Sequence, residues 1–213
     1  MNTAEPTRSA MIIVDVQQDF CPGGALAVQD GDHVVPVINW LAPRFAFVVA
    51  TKDWHPEGHV SFAPMHPGKQ PFDTVELSGG TSQILWPVHC VQASPGAEFH
   101  PELDLRPINV VLHKGVRPQL DSYSAFFEND KKTSTGLDHL LRGHGFDTLF
   151  VCGLATDVCV YFTAADALKL GFSVYLIEDA CRGVDVPAGS IDSALSDLRG
   201  SGCNVIQSSE LLQ

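Results

Sequence analysis

The chain has 213 residues, 45% of them hydrophobic, and a formal net charge of -12 at pH 7. That length suits one sizeable core, and the acidic balance argues against nucleic acid or an anionic membrane as a partner. No apolar run is long enough to span a bilayer, and residues 1–9 lack the apolar centre of a signal peptide, so a cytoplasmic location is expected.

Residues 1–9 are expected as a loose tail. The apolar run Ala10 to Val14 predicts a strand buried on both faces, the kind found in parallel sheets. Gln17 to Gly24 follows as a loop, marked by Pro22-Gly23-Gly24. Asp32 to Leu41 predicts a short amphipathic helix, with Pro36 tolerated in its first turn. Phe45 to Thr51 predicts a second strand. From Lys52 to Pro107 no periodicity is sustained, and Pro, Gly and His accumulate. A long irregular segment with this aromatic and His content reads as a functional insertion, not disorder. Asn109 to His113 predicts a third strand. Gly136 to Arg142 predicts a helix closed by Gly143. Thr148 to Cys152 predicts a fourth strand, and Asp157 to Leu170 a helix capped by Thr156 and ended by Gly171. Ser173 to Ile177, a helix over Pro187 to Leu198, and Cys203 to Ile206 complete the pattern. This alternation predicts an α/β fold, a mostly parallel six-stranded sheet with helices on both faces. One domain is expected over 1–213, with the loop-rich insertion at about 52–107.

Polar residues fall at the carboxyl ends of these strands. Asp15 follows the first, Asp53 and His55 the second, Lys114 the third, the Ala155–Cys159 turn the fourth, and Asp179 and Arg182 the fifth. Open α/β sheets bind their ligands along that edge. Taken singly, Asp15 reads as a turn residue, Lys114 as a surface cation and Cys159 as a buried apolar thiol. Taken together they suit nucleophilic chemistry. Cys159, in the first turn of a helix, feels unpaired N–H groups that favour thiolate. Lys114 supports that charge, and Asp15 takes the thiol proton and hands it to a leaving amine. The backbone N–H groups of Ala155 and Cys159 are candidate oxyanion donors. This describes acyl transfer from an amide through a thioester. Asp53-x-His55 offers a second constellation. Carboxylate and imidazole suit Zn²⁺, Mn²⁺ or Fe²⁺, and His89 or His59 is available as a third ligand. The 6 Cys residues include no CxxC pair and are expected as thiols.

With these residues in view, the sequence resembles the nicotinamidases (pyrazinamidases) among the isochorismatase-like cysteine hydrolases. The likeness runs from about Ala10 to Ile206. It rests on Val14-Asp15-Val16-Gln17-Gln18-Asp19-Phe20-Cys21, Asp53-Trp54-His55-Pro56, Trp86-Pro87-Val88-His89-Cys90-Val91, His113-Lys114-Gly115, Asp121-Ser122-Tyr123-Ser124-Ala125-Phe126, Gly153 to Val160, and Cys181-Arg182-Gly183-Val184. The resemblance implies a doubly wound isochorismatase-like fold and a triad of Asp15, Lys114 and Cys159. It implies one divalent metal ion (Zn, Mn or Fe) held by Asp53, His55 and His89, with His59 ranked below His89. It implies a non-proline cis peptide at Leu154–Ala155. Phe20, Trp86, Tyr123 and Leu154 are implied as substrate-binding residues, and Gln17 as a partner of metal-bound water. The implied reaction is hydrolysis of nicotinamide, and of pyrazinamide, to the acid and ammonia, a step of NAD salvage.

Two other functions compete with it. One is a sibling amidohydrolase acting on another carboxamide or an N-carbamoyl substrate. The other is a metal-binding redox sensor without turnover, whose poised thiolate would be the sensing group. The sequence leaves homo-oligomerisation open.

Overall fold

The computed structural model describes residues 8–77 and 80–212. Its centre is β1 (Ser9–Val14), every residue of which is buried. The first seven residues of the expected tail lie outside the described residues, while Ser9 already belongs to the strand. A strand buried on both faces needs a covering layer on each side. The chain then runs through α1 (Val34–Leu41), with Pro36 in its first turn, to β2 (Val48–Asp53). A short hairpin of β3 (Thr74–Glu76) and β4 (Ser82–Ile84) lies inside the insertion. After it come β5 (Val110–Lys114), α2 (Leu137–Gly143), β6 (Thr148–Leu154), α3 (Tyr161–Lys169), β7 (Ser173–Arg182), α4 (Ser190–Gly200) and β8 (Asn204–Ile206).

The main sheet has the order β5-β2-β1-β6-β7-β8 with every pair parallel, and helices flank it on both faces. From β1 the chain builds outward through β2 and β5. It then crosses to the other side of β1 and builds outward again through β6, β7 and β8. The reversal lies between β1 and β6, where such sheets leave a crevice at their carboxyl ends. Gly153 sits in that crevice opposite Val14. Its φ is +114, and an added Cβ would meet the Val14 carbonyl oxygen at 2.1 Å. Only glycine lets the two strands close there.

Several element ends differ from the hydropathy pattern. Parallel pairing with β1 starts at Val48, so Phe45 and Phe47 precede β2 and pack on Phe150 and Phe146. At its other end β2 continues into polar residues, because Lys52 pairs with Glu98 and Asp53 with Lys114. β7 runs five residues past Ile177. Its polar residues there are engaged by the chain after β8, Glu178 by Gln207 and Asp179 by Ser208. The helix expected at Asp157 starts as a π-turn over Thr156–Val160, and Ala155, not Thr156, is its N-cap. Asp157 accepts from the Val184 and Asp185 N–H groups and the Ser190 hydroxyl, so it tethers the following loop. Pro187 lies before α4, joined to Val186 by a cis peptide. Among the described residues no helix is long and apolar enough to cross a membrane.

Candidate active site

Asp15 directly follows β1 in the left-handed region (φ 48), a conformation that Asp tolerates better than most residues. Its Oδ1 accepts the Thr51 hydroxyl at 2.6 Å, and its N–H donates to the same Oγ1 at 3.2 Å. Lys114 ends β5, two strands away, and is 1% exposed. The ammonium donates to Asp53 Oδ1 at 2.5 Å, Ser122 O at 3.0 Å and Cys159 Sγ at 3.4 Å. Asp15 Oδ2 lies 2.7 Å from Nζ in a fully buried ion pair, so the ammonium is shared between the thiol and both carboxylates. Asp15, Asp53 and Cys159 offer atoms within 4.8 Å of one another. The structure therefore brings Asp15, Lys114 and Cys159 into one buried cluster.

Burial sets the charges here. It raises the Asp15 carboxyl, Lys114 offsets part of the rise and Asp53 adds to it, leaving the group at about 6. Burial also raises the Asp53 carboxyl, but Lys114, His55 and His89 outweigh it and hold the group well below the carboxylate range. Burial lowers Lys114, yet Asp15 and Asp53 more than reverse this and keep it charged. For Cys159, burial pushes the thiol up, Lys114 opposes this, and Asp15 and Asp53 add to it. The thiol ends well above its ordinary value. Desolvation and the two carboxylates thus work against the thiolate that the N–H groups at the helix start favour, and Lys114 works for it. The thiol stands beside a carboxylate that can take its proton.

The π-turn bears on the backbone. The Ala155 carbonyl accepts from Val158 N–H at 3.0 Å and Val160 N–H at 3.1 Å. An α-turn would instead direct the Cys159 N–H onto that carbonyl. The Leu154–Ala155 peptide is cis.

A second cluster adjoins the first through Asp53. Its Oδ2 lies 3.7 Å from His55 Nε2 and 3.9 Å from His89 Nε2. His55 Nδ1 contacts the Gly115 carbonyl at 2.9 Å, and His89 Nδ1 the Pro87 carbonyl at 2.7 Å. A carbonyl only accepts, so each Nδ1 carries a proton, and in the neutral ring that a cation binds each Nε2 presents a lone pair. Two imidazole lone pairs and one carboxylate oxygen converge, the donor set a divalent cation takes. Gly115 (φ +63) permits this, since a Cβ would meet His55 Cε1 at 2.4 Å.

Phe20, Trp86 and Tyr123 line the cleft above the thiol, together with Asp53, His55, His89, Ala155 and Cys159. Leu154 does not. It is fully buried in the core, so its expected place at the substrate is corrected. Gln17 reaches the segment that carries Asp53. Its amide NH₂ donates to the carbonyls of Asp53 (2.8 Å) and Ala97 (2.9 Å), and its Oε1 accepts Asp53 N–H at 2.8 Å. Gln17 thus clamps the backbone that carries Asp53. His59 stacks on His55 at 4.2 Å, with Nδ1 on the Ser61 hydroxyl and Nε2 on the Leu120 carbonyl. It groups with His55 and Asp121, not with Asp53 and His89. Asp179 is engaged by Ser208, and Arg182 by the Asp179 and Cys181 carbonyls, and neither joins the cluster. Sequence reasoning missed Thr51, Asp121, Leu26 and Val184. Asp121, a buried carboxylate lining the cleft, stood inside a motif quoted for other residues.

The comparisons with known proteins agree with this architecture. The model of the isochorismatase domain matches residues 9–210. The nicotinamidase of Acinetobacter baylyi is 49% identical over 95% of this chain and 94% of its own length. Among solved structures, a nicotinamidase/pyrazinamidase from Acinetobacter baumanii superposes with a TM-score of 0.94 at 51% identity, covering 97% of this chain and 99% of that one. An L. infantum protein in complex with nicotinate gives 0.84 at 43%, covering 97% and 96%. A Pyrococcus horikoshii pyrazinamidase in complex with zinc gives 0.76 at 39%, covering 94% and 99%. With the family model covering nearly the whole sheet and both clusters, the chain belongs to the isochorismatase domain family.

Proposed function

We propose that this protein is a nicotinamidase, an amidohydrolase that converts nicotinamide, and pyrazinamide, to the acid and ammonia through a thioester on Cys159. The observation that carries the reading is the contact set of Lys114, 3.4 Å from Cys159 Sγ and 2.7 Å from Asp15 Oδ2. A thiol, a carboxylate and a buried ammonium in mutual contact support a nucleophile with its proton acceptor and a fixed positive charge. The relatives named nicotinamidase, and the neighbour solved with nicotinate, support the substrate.

Asp15 Oδ2 takes the thiol proton, and Cys159 Sγ attacks the carboxamide carbon. Lys114 neutralises the thiolate as it forms and fixes Asp15 beside it. The Ala155 and Cys159 N–H groups receive the carbonyl oxygen as it gains charge. Protonated Asp15 then gives its proton to the leaving nitrogen, and ammonia departs. In the second half Asp15 takes a proton from water, whose oxygen cleaves the thioester. The acid leaves and the proton returns to the thiol. Phe20 and Trp86 hold the ring by its faces. Asp53, His55 and His89 would hold a divalent cation, with Zn, Mn and Fe all compatible, and its Lewis acidity would fix the ring nitrogen. The neighbour solved with zinc supports that site. Release of nicotinate belongs to NAD salvage, and six free thiols suit a cytoplasmic setting.

The test is ammonia release from nicotinamide by purified protein, with the acyl-enzyme sought by mass spectrometry after rapid acid quench. Cys159→Ala with wild-type turnover would refute the mechanism.

A further inference from the structure

The β3–β4 hairpin turns one residue of β4 inward. Ser82 and Ile84 are exposed, while Gln83 between them is 0% exposed. A fully buried carboxamide on so short an element is unusual unless its polar atoms are used. Its Nε2 lies 2.7 Å from the Ile84 carbonyl, 2.8 Å from Asp121 Oδ2 and 3.1 Å from the Tyr123 hydroxyl. The Tyr123 hydroxyl also accepts from Trp86 Nε1 at 3.2 Å. One side-chain nitrogen therefore contacts a carboxylate and a phenol that line the cleft, and through the phenol the indole of a third lining residue.

The orientation of the amide is fixed by its neighbours. Exchanging N and O would set Gln83 Oε1 against a carbonyl and a carboxylate, both acceptors. As placed, Oε1 is buried and accepts no hydrogen bond. An unpaired buried acceptor is unfavourable.

We propose that Gln83 is a positioning residue for ring binding: its two N–H groups, shared among the Ile84 carbonyl, Asp121 and the Tyr123 hydroxyl, tie the hairpin to Asp121 and Tyr123, and through Tyr123 set the angle of the Trp86 wall. It acts through those side chains and stands outside the thiol cluster. The inference rests on the proposed nicotinamide hydrolysis for what the cleft holds. Loss of Gln83 therefore weakens ring binding and leaves the chemical step intact.

The test uses Gln83→Met, which keeps length and packing but removes both N–H groups, beside Gln83→Ala. In Gln83→Met the KM for nicotinamide is expected to rise about 10-fold, with kcat within about threefold of wild type. The dissociation constant of nicotinate, read by tryptophan quenching, is expected to rise about as much. Wild-type KM and nicotinate affinity in Gln83→Met would overturn the role, as would a loss confined to kcat. If Gln83→Ala fails to fold, the Met variant still decides. If wild-type protein releases no ammonia from nicotinamide, the functional reading falls, and nicotinate binding alone judges Gln83.

Discussion

Lys114 Nζ stands 2.5 Å from Asp53 Oδ1, so the lysine beside the thiol and the carboxylate beside the two histidines form one ion pair. The strands that carry them, β2 and β5, are neighbours with Asp53 opposite Lys114. Asp53 thus faces two ways, Oδ1 toward the thiol cluster and Oδ2 toward the imidazoles. This separates two substitutions that look alike on a ligand list. His55→Ala is expected to lower metal content and raise KM. Asp53→Asn is expected to lower kcat as well, because Lys114 loses a charged partner. Metal analysis with steady-state kinetics checks the contrast; equal kcat in the two variants would count against it.

Asp15 gives a pH dependence. Its carboxyl stands at about 6 against an ordinary 3.8, from burial opposed in part by Lys114. The form that takes the thiol proton is the carboxylate. Since the folded value is raised, that form is lost as pH falls through about 6, well before a free Asp would protonate. The expected kcat/KM declines about tenfold per pH unit below that point. Asp15→Asn is expected to abolish turnover with the fold kept. A profile flat from pH 7 to pH 5 would remove Asp15 from the proton path.

The layered fold is legible in the sequence because buried parallel strands leave continuous apolar runs. Their ends are less legible. Hydropathy stops at Thr51 and Ile177, whereas pairing carries β2 to Asp53 and β7 to Arg182 on polar residues with distant partners. Residues of distinctive chemistry at strand ends stand out, which is why Asp15, Lys114, Cys159 and the Asp53-x-His55 pair draw notice. Thr51 and Gln83 do not. A Thr in a strand and a Gln in a hairpin have no signature, and their partners lie 36 and 38 residues away. Leu154 errs the other way. Its place in the nucleophile turn suggests substrate, but β6 buries it completely.

Leu154→Ala is therefore a test of packing. Removing a fully buried Leu side chain is expected to lower stability by about 2–5 kcal/mol, as a core cavity does. Phe20→Ala, at the cleft, is expected to raise KM with a smaller stability loss. Urea unfolding of both variants beside their kinetics checks this. A Leu154→Ala variant as stable as wild type would place the side chain outside the core.

Metal removal is expected to act on binding first. With Asp53 Oδ1 held by Lys114, loss of a cation from the Oδ2 side leaves the contacts of the thiol cluster in place. The His55 and His89 rings keep their Nδ1 bonds to Gly115 and Pro87, so the donor set stays aimed. Chelator-treated protein should bind nicotinate about 10- to 100-fold more weakly, the scale on which metal-site losses act. Alkylation of Cys159 by iodoacetamide should proceed at a rate within about threefold of the untreated protein, since its neighbours are unchanged. Adding back Zn²⁺, Mn²⁺ or Fe²⁺ should restore nicotinate binding. Restoration by Mg²⁺ alone would contradict a nitrogen-rich site, because that ion prefers oxygen ligands. Nicotinate affinity unchanged by chelation, with metal shown to be gone, would separate the Asp53-His55-His89 cluster from ring binding.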